Sequence, residues 1–403
     1  MHVSSLSISG YRSLKDVSVN DIDAVSIIHG LNNSGKSNFL SAVETILAPK
    51  FQVETTTTVN RGARSAVTKT RAFHEGRIEH FRDSFYFNMA RVVDFTITID
   101  FRDEELKHLQ SLLTKVPVQG ATDIGQKLIF GDGESKKVKI LGKINHAGGD
   151  AAEMVTNAII INDVFQIYQR DASGKYHYLP NTGIEIGKSQ EAIEDLLSRL
   201  TGCFKVINAN RYLTAEPMGV AKGLECTAKN FKQWLFNLFM DREEHAKFQE
   251  IQTLFNSSPF GFGTLGFSNE NGQIEIMVEK NGLRLPVTRV GSGLQQILFL
   301  IATTVFHRGK LLGIEELEIN LSPRAQQEIF EKMTTFVMKS PQVLNQLIIT
   351  SHSDYFGYRQ DVKCFEVAYD SKNACSVIAP WNDTKQKKHF GRERALGGWE
   401  WPD

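Results

Sequence analysis

The densest chemistry in this 403-residue chain lies in eight consecutive residues, Gly30-Leu31-Asn32-Asn33-Ser34-Gly35-Lys36-Ser37. The pattern G-x-x-x-x-G-K-S puts backbone N–H groups, an ammonium and a hydroxyl in one short loop, which suits a polyphosphate. Gly30, Asn32, Asn33, Ser34, Gly35 and Asn38 fall in or beside the cradle. Lys36 would reach the β- and γ-phosphates, and the Ser37 hydroxyl would hold Mg²⁺. A second candidate set lies far along the chain, where the apolar run Leu311-Leu312-Gly313-Ile314 ends in Glu315 and Glu316. A Mg²⁺-nucleotide site needs such a strand end, with one carboxylate (Glu315) to organise the metal and one (Glu316) to polarise water. Alone, the pair could equally be an exposed acidic strand end. The loop at 30–37 favours the functional reading.

The elements around these residues fit those tasks. Ala24 to Ile28 is an apolar run that reads as a buried strand. Asn38 to Leu47 has helical spacing, with Leu40, Val43 and Leu47 on one face. Strand, glycine loop and helix turn N–H groups and a helix N-terminus toward the phosphates. Val3 to Ile8 and Val17 to Val19 read as short strands, and Val92 to Phe101 alternates strictly as a strand. Helices are expected from Asp103 to Leu113, Ser189 to Leu200 and Asn230 to Phe255, with a strand from Phe204 to Ile207 between the last two. Lys127 to Leu179 reads as short runs broken by glycine turns. Strands flank Asn271-Gly272, with a further turn at Asn281-Gly282. From Gly291 onward, helix Leu294 to Phe306, strand Leu311 to Ile314, helix Pro323 to Met338 and strand Leu347 to Thr350 alternate as in a parallel sheet.

Composition sets outer bounds. With 41% hydrophobic residues the chain can bury a substantial core. Lys plus Arg and Asp plus Glu both number 46, so any nucleic-acid surface must be a local patch. Cys203, Cys226, Cys364 and Cys375 are widely spaced and form no C-x-x-C, which argues against zinc or a disulfide framework and for a cytoplasmic setting. No charged-then-apolar leader and no bilayer-length apolar run is evident, so neither a signal peptide nor a membrane partner is expected.

Three motifs together carry a family resemblance: Tyr11-Arg12-Ser13-Leu14, the loop ending Gly35-Lys36-Ser37-Asn38, and Ile314-Glu315-Glu316-Leu317-Glu318. The chain resembles the ABC-type ATPase heads of the RecF, Rad50, SMC and OLD-nuclease group, and is most similar to its OLD-like branch. That branch carries E-E-P-E-x-H-L-H-P at the second motif. Here Leu317 replaces the proline, and Asn320 and Ser322 replace the histidines, but Pro323 is kept. Two further motifs follow in the family's order. Gly291-Ser292-Gly293 resembles the signature turn that donates to the γ-phosphate bound by the opposite subunit. Ile348 to His352 resembles the switch-histidine strand, where His352 would sense the γ-phosphate or position water. Arg12 resembles N-terminal arginines that contact nucleotide.

The resemblance implies an α/β ABC-type P-loop ATPase head with a mixed or parallel sheet, an N-terminal antiparallel β subdomain and an inserted α+β region. The expected division is an N-terminal lobe over 1–110, an insert over 111–200, a helical and strand region over 201–285, a C-terminal lobe over 286–380 and a basic tail over 381–403. It implies ATP and Mg²⁺, a homodimer closed around ATP, and Glu316, Glu315 and His352 as catalytic groups. OLD nucleases carry a TOPRIM domain after the histidine motif, and about fifty residues follow His352 here, too few for one. The expectation is therefore an ATPase that controls a separately encoded effector, a nuclease or toxin, as stand-alone OLD-like ATPases of anti-phage defence do. The alternative is a RecF-like DNA-binding repair protein. In its favour stand Arg61, Arg64, Lys69, Arg71, Arg77, Arg82 and Arg91 near Phe73, Phe81, Phe85 and Tyr86, and a second basic cluster from Lys385 to Arg394. A third option is an ATP-binding module with negligible turnover.

Overall fold

The computed structural model describes residues 1–47, 76–78, 81–86, 92–101, 136–161, 165–170, 176–178, 200, 202–211, 213, 216, 226–257, 260–339, 346–353, 356 and 362–381. The chain divides into two compact units, Met1–Phe204 with Gln360–Asp403, and Lys205–Arg359. Both mix helices with strands, and the α/β class expected from the alternation of elements is observed.

The first unit opens with β1 (His2–Tyr11) and β2 (Leu14–Val19), an antiparallel pair, followed by β3 (Val25–His29) and helix α1 (Lys36–Leu47). Helix α1 buries Phe39, Leu40, Val43, Ile46 and Leu47. The buried Tyr11 ties β1 to this helix, its hydroxyl 2.8 Å from Ser41 Oγ and 3.3 Å from Thr45 Oγ1. These partners lie four apart on one helical face. Next come β4 (Gly76–Ile78), β5 (Val92–Phe101), β6 (Lys136–His146), β7 (Ala152–Ile161), β8 (Phe165–Arg170) and β9 (Tyr176–Tyr178). They extend the β1–β2 pair into one antiparallel sheet, in the order β2-β1-β5-β6-β7-β8-β9, with β4 on β7.

Where the chain is described, the runs expected over 127–179 include two long strands, β6 and β7, and two short ones, β8 and β9. Two features hide this from a periodicity reading. The register shifts at Leu141/Gly142, and Gly142 makes room for the Phe95 ring, whose Cζ lies 2.3 Å from where a Cβ would sit. Phe81 and Phe85 belong to the core of this unit, stacking edge to face at 5.1 Å, with Phe81 6.0 Å from Tyr11. The expected helices at Asp103 to Leu113 and Ser189 to Leu200 lie outside the described residues, apart from the buried Leu200. So do most of the basic residues between 61 and 91 and the cluster from 385 to 394.

The second unit begins with β10 (Phe204–Ile207). Helices α2 (Phe231–Met240) and α3 (His245–Asn256) follow. A single helix was expected here. Asp241 breaks it: its backbone is extended (φ −81°, ψ 125°), and its carboxylate accepts from Glu243 N and Glu244 N, a turn that competes with helix. The strands β11 (Thr264–Glu270), β12 (Gln273–Lys280) and β13 (Leu283–Pro286) form an antiparallel meander. It turns at Asn271-Gly272 and Asn281-Gly282, where all four residues have positive φ as an Asn-Gly hairpin requires.

The one-turn helix α4 (Val287–Val290) leads to α5 (Ser292–Phe306), which is buried along its length from Gln295 to Val305. Its interior hydroxyls, Thr303 and Thr304, donate to Phe299 O and Leu300 O and so stay satisfied. Then β14 (Leu311–Ile314), α6 (Pro323–Lys339) and β15 (Gln346–Ser351) form a parallel βαβ unit, with β10 on the other edge of β14. Pro323 starts α6 at the position where a missing N–H costs nothing. The chain returns to the first unit as β16 (Lys363–Asp370), parallel to β3, and β17 (Cys375–Pro380), antiparallel to β16. Among the described residues no helix is long and apolar enough to cross a membrane.

Candidate nucleotide site

The glycine loop joins β3 to α1, in the strand–loop–helix setting that the motif demands. Asn33 (φ 62°) and Gly35 (φ 108°) both take left-handed conformations. Neighbouring strands make both motif glycines obligatory. A Cβ on Gly35 would lie 2.1 Å from Ser376 Oγ, and one on Gly30 would lie 2.3 Å from Val367 O. Lys36 is buried, and its ammonium donates to the carbonyls of Gly30 (2.8 Å) and Leu31 (2.9 Å). The charge is curled over its own loop, on weak acceptors that a phosphate could replace. Ser34 Oγ is buried without a hydrogen-bond partner. A buried hydroxyl left orphaned calls for an explanation, and a phosphate-binding loop supplies one. Ser37 is exposed on the first turn of α1, as a Mg²⁺ ligand must be, and Asn32 and Asn33 are exposed at the loop tip.

Two further sequence-predicted residues lie beside the loop. Asn38 Nδ2 donates to Ser13 Oγ at 2.7 Å, and Ser13 Oγ is 2.6 Å from Ser376 Oγ. Ser376 N also donates to Ser13 O at 2.8 Å. Asn38 therefore braces the loop from beneath. This network draws the β1–β2 turn to the loop, and Arg12 lies on that turn with φ 48°, its backbone N donating to Ser84 O and its guanidinium 5.4 Å over the Tyr11 ring.

The second unit gathers Glu315, Glu316, His352 and the Gly291–Gly293 turn. Glu315 and Glu316 follow β14 directly. Glu315 N donates to Ile207 O, and Ala209 N donates to Glu315 Oε2 at 3.3 Å. Glu316 has φ 45°, a conformation uncommon outside glycine and concentrated at functional sites. Its N–H donates to Thr350 Oγ1 of β15 at 3.1 Å. Below this turn sits Arg211, with no exposed surface. Its Nη1 donates to Glu315 O and its Nη2 to Glu316 O, both at 2.8 Å, while its Nε donates to Gln296 Oε1 of α5 at 2.6 Å. Burial pulls the guanidinium down to about 10, against the raising fields of Glu318, Glu315 and Glu316, so it stays charged at neutral pH. Gly291 caps α5 with φ 143°. Gly291 and Ser292 are exposed, and a Cβ on Gly293 would come within 3.0 Å of Asn320 O. Among the described residues no three His, Cys, Asp or Glu side chains form a self-contained metal cluster. A Mg²⁺ ion with one or two protein oxygens and phosphate oxygens needs none, and the exposed Ser37 hydroxyl is a suitable oxygen ligand.

A model of the AAA ATPase domain matches the chain over residues 1–215 and 188–356. The chain belongs to the AAA ATPase domain family. No curated protein matches it. Among solved structures it is similar to the SMC head domain from Thermotoga maritima, at 13% identity and a TM-score of 0.43, over 95% of this chain and 100% of that one. It is also similar to an Smc head with an extended coiled coil, bound to the C-terminal domain of ScpA derived from Pyrococcus furiosus, at 12% identity and 0.47, over 98% and 99%.

In this AAA ATPase domain, three supporting groups have roles that the sequence did not show. Glu318 lies inside the quoted acidic run, yet its role depends on β15. Arg211 ends the run Asn208-Ala209-Asn210-Arg211, and no local pattern shows that it crosses to Glu315 and Glu316. Ser376 was not singled out at all. Its value lies in facing Gly35, and only the pairing of β17 with β16 brings it there.

Proposed function

We propose that the chain is an ATP-hydrolysing ABC-type ATPase that closes around ATP as a homodimer and controls a separately encoded effector protein. The observation that carries the reading is the buried Lys36 ammonium, held over the glycine loop by two carbonyls beside an unpartnered Ser34 hydroxyl. Lys36 and the loop N–H groups would bind the β- and γ-phosphates. Ser37 and Glu315 would hold Mg²⁺, which when bound neutralises charge on the phosphate oxygens. Glu316 is the proposed base that polarises the attacking water, and His352 the proposed group that positions it. Gly291, Ser292 and Gly293, at the N-terminus of α5 with the first two exposed, would donate to the γ-phosphate of a second copy. Arg12 is proposed to report the state of the bound nucleotide.

The reading is tested by steady-state ATP hydrolysis and by light scattering with and without ATP. Wild-type protein should turn over ATP faster as its concentration rises. Glu316→Gln should accumulate as an ATP-dependent dimer. Hydrolysis at a wild-type rate by Glu316→Gln would refute the assignment of the base. Co-purification with the product of an adjacent reading frame, in the absence of DNA, is the expected result for the effector role. ATP-dependent, steeply salt-sensitive DNA binding would support the repair reading instead. The burial of Phe81 and Phe85 removes two of the aromatic side chains which that reading would use for stacking on bases.

A further inference from the structure

One carboxylate in the second unit is placed unlike the two at the strand end. Glu318 is buried, and its Oε1 collects donors from a single turn. Ser351 Oγ donates at 2.8 Å, His352 N at 2.7 Å and Ser353 N at 3.2 Å. His352 Nδ1 lies 3.1 Å from the same oxygen. The other oxygen, Oε2, is buried and has no hydrogen-bond partner. Capping the turn needs only the two N–H groups. The approach of Nδ1 adds something specific to the ring. A carboxylate next to Nδ1 selects the tautomer protonated there and leaves Nε2 as the second ring nitrogen. The His352 side chain nonetheless stays 43% exposed, so the buried anchor holds a ring that can still be reached from outside.

We propose that Glu318 is the positioning residue for His352, fixing both the turn that carries it and the ring tautomer that presents Nε2 to the reacting phosphate and water. The proposal rests on the reading of His352 as a group that acts on ATP. Glu318 itself touches neither substrate nor metal in this scheme. Its influence passes through the close approach of Oε1 to Nδ1 and the backbone of residues 351–353. The same carboxylate follows Glu316 by two residues, so the acidic run serves two ends of the chemistry. Its first two members are the proposed metal ligand and base, and Glu318 faces inward to β15.

The test uses the full chain and a double-mutant cycle. Glu318→Ala is expected to leave ATP affinity within about twofold and to lower kcat roughly 10–100-fold, the usual loss when a histidine's carboxylate partner is removed. In a His352→Ala background the same substitution should cause no further loss, because coupled residues are not additive. Glu318→Gln keeps an acceptor at Oε1 and guards against failure of the alanine variant to fold. It should show a smaller fall in kcat with unchanged affinity, and again none in the His352→Ala background. Wild-type kcat in both Glu318 variants, or losses that multiply with that of His352→Ala, would overturn the proposal.

A separate readout divides the proposal from the reading beneath it. Nitrogen-15 NMR of the His352 ring should report the Nδ1–H tautomer in the wild type and a tautomer mixture in Glu318→Ala. If His352→Ala hydrolyses ATP normally while the tautomer still depends on Glu318, the catalytic reading of His352 fails and the positioning contact stands. A tautomer mixture already present in the wild type would sink the contact itself.

Discussion

The glycine loop and the carboxylate turn are both strand ends whose residues are proposed for phosphate chemistry, but they are held in place differently. In the loop, consecutive residues supply almost all of the functional groups, and the bracing is backbone and hydroxyl: Ser13, Asn38 and Ser376 beneath, with Val367 O and Ser376 Oγ excluding any side chain at Gly30 and Gly35. In the turn, buried charged side chains tie together segments far apart in the chain. Arg211 holds the carbonyls of Glu315 and Glu316, and Glu318 holds the residues around His352. The loop is a binding device shaped by steric exclusion. The turn is a poised device shaped by buried charge, with Glu316 kept in a left-handed conformation.

That contrast breaks most visibly if substitution in the loop and in the turn affect the same step. Lys36→Ala should raise the ATP dissociation constant by about 10³-fold, the scale for truncating one partner of a buried charge contact, as read by titration calorimetry. Glu316→Gln should leave that constant within a few-fold and lower kcat roughly 10²–10³-fold, the range for loss of a positioned base. Arg211→Ala probes the buried-charge side. Four acceptors, Gln296 Oε1 and the carbonyls of Asn208, Glu315 and Glu316, lose their donor at once, and the chain should lose about 3 kcal/mol in denaturant unfolding, mainly in the unit that contains the turn.

Acid should separate the units further. Burial, with Lys310 and Lys205 nearby, pulls His307 down to about 4 in the second unit. Between its ordinary value near 6.5 and about 4 the unfolded chain binds the proton and the folded chain does not. Stability should therefore fall as pH drops through that window, by roughly 3 kcal/mol at its lower end. His307→Asn should flatten the dependence. Ser376→Ala should have the smallest effect, about 1 kcal/mol, together with a modest weakening of ATP binding, since it removes a single neutral hydrogen bond beneath Gly35.

The two regions also differ in how far they can be read from residues alone. The loop's motif, its flanking strand and its helix all lie within Val25–Leu47, so spacing and periodicity suffice. The acidic strand end and the βαβ alternation after Gly291 were equally visible. The helix expected over 230–255 was not visible as two, because the break depends on a turn closed by Asp241. The long strands β6 and β7 were hidden by a bulge and by turn-forming glycines.

Sequence determined where phosphate chemistry could occur, because N–H groups, an ammonium and a hydroxyl can be gathered by a few adjacent residues whose backbone conformations are set locally. It also determined the strand ends, because apolar runs bury themselves and leave the next polar residue at the rim. Which groups would hold those residues in place was settled by long-range packing. Arg211 reaches Glu315 across 104 positions, Glu318 reaches His352 across 34 and Ser13 reaches Ser376 across 363. No periodicity links such pairs. They meet because burial leaves each polar group to find its partner among whatever segments the sheet brings alongside it.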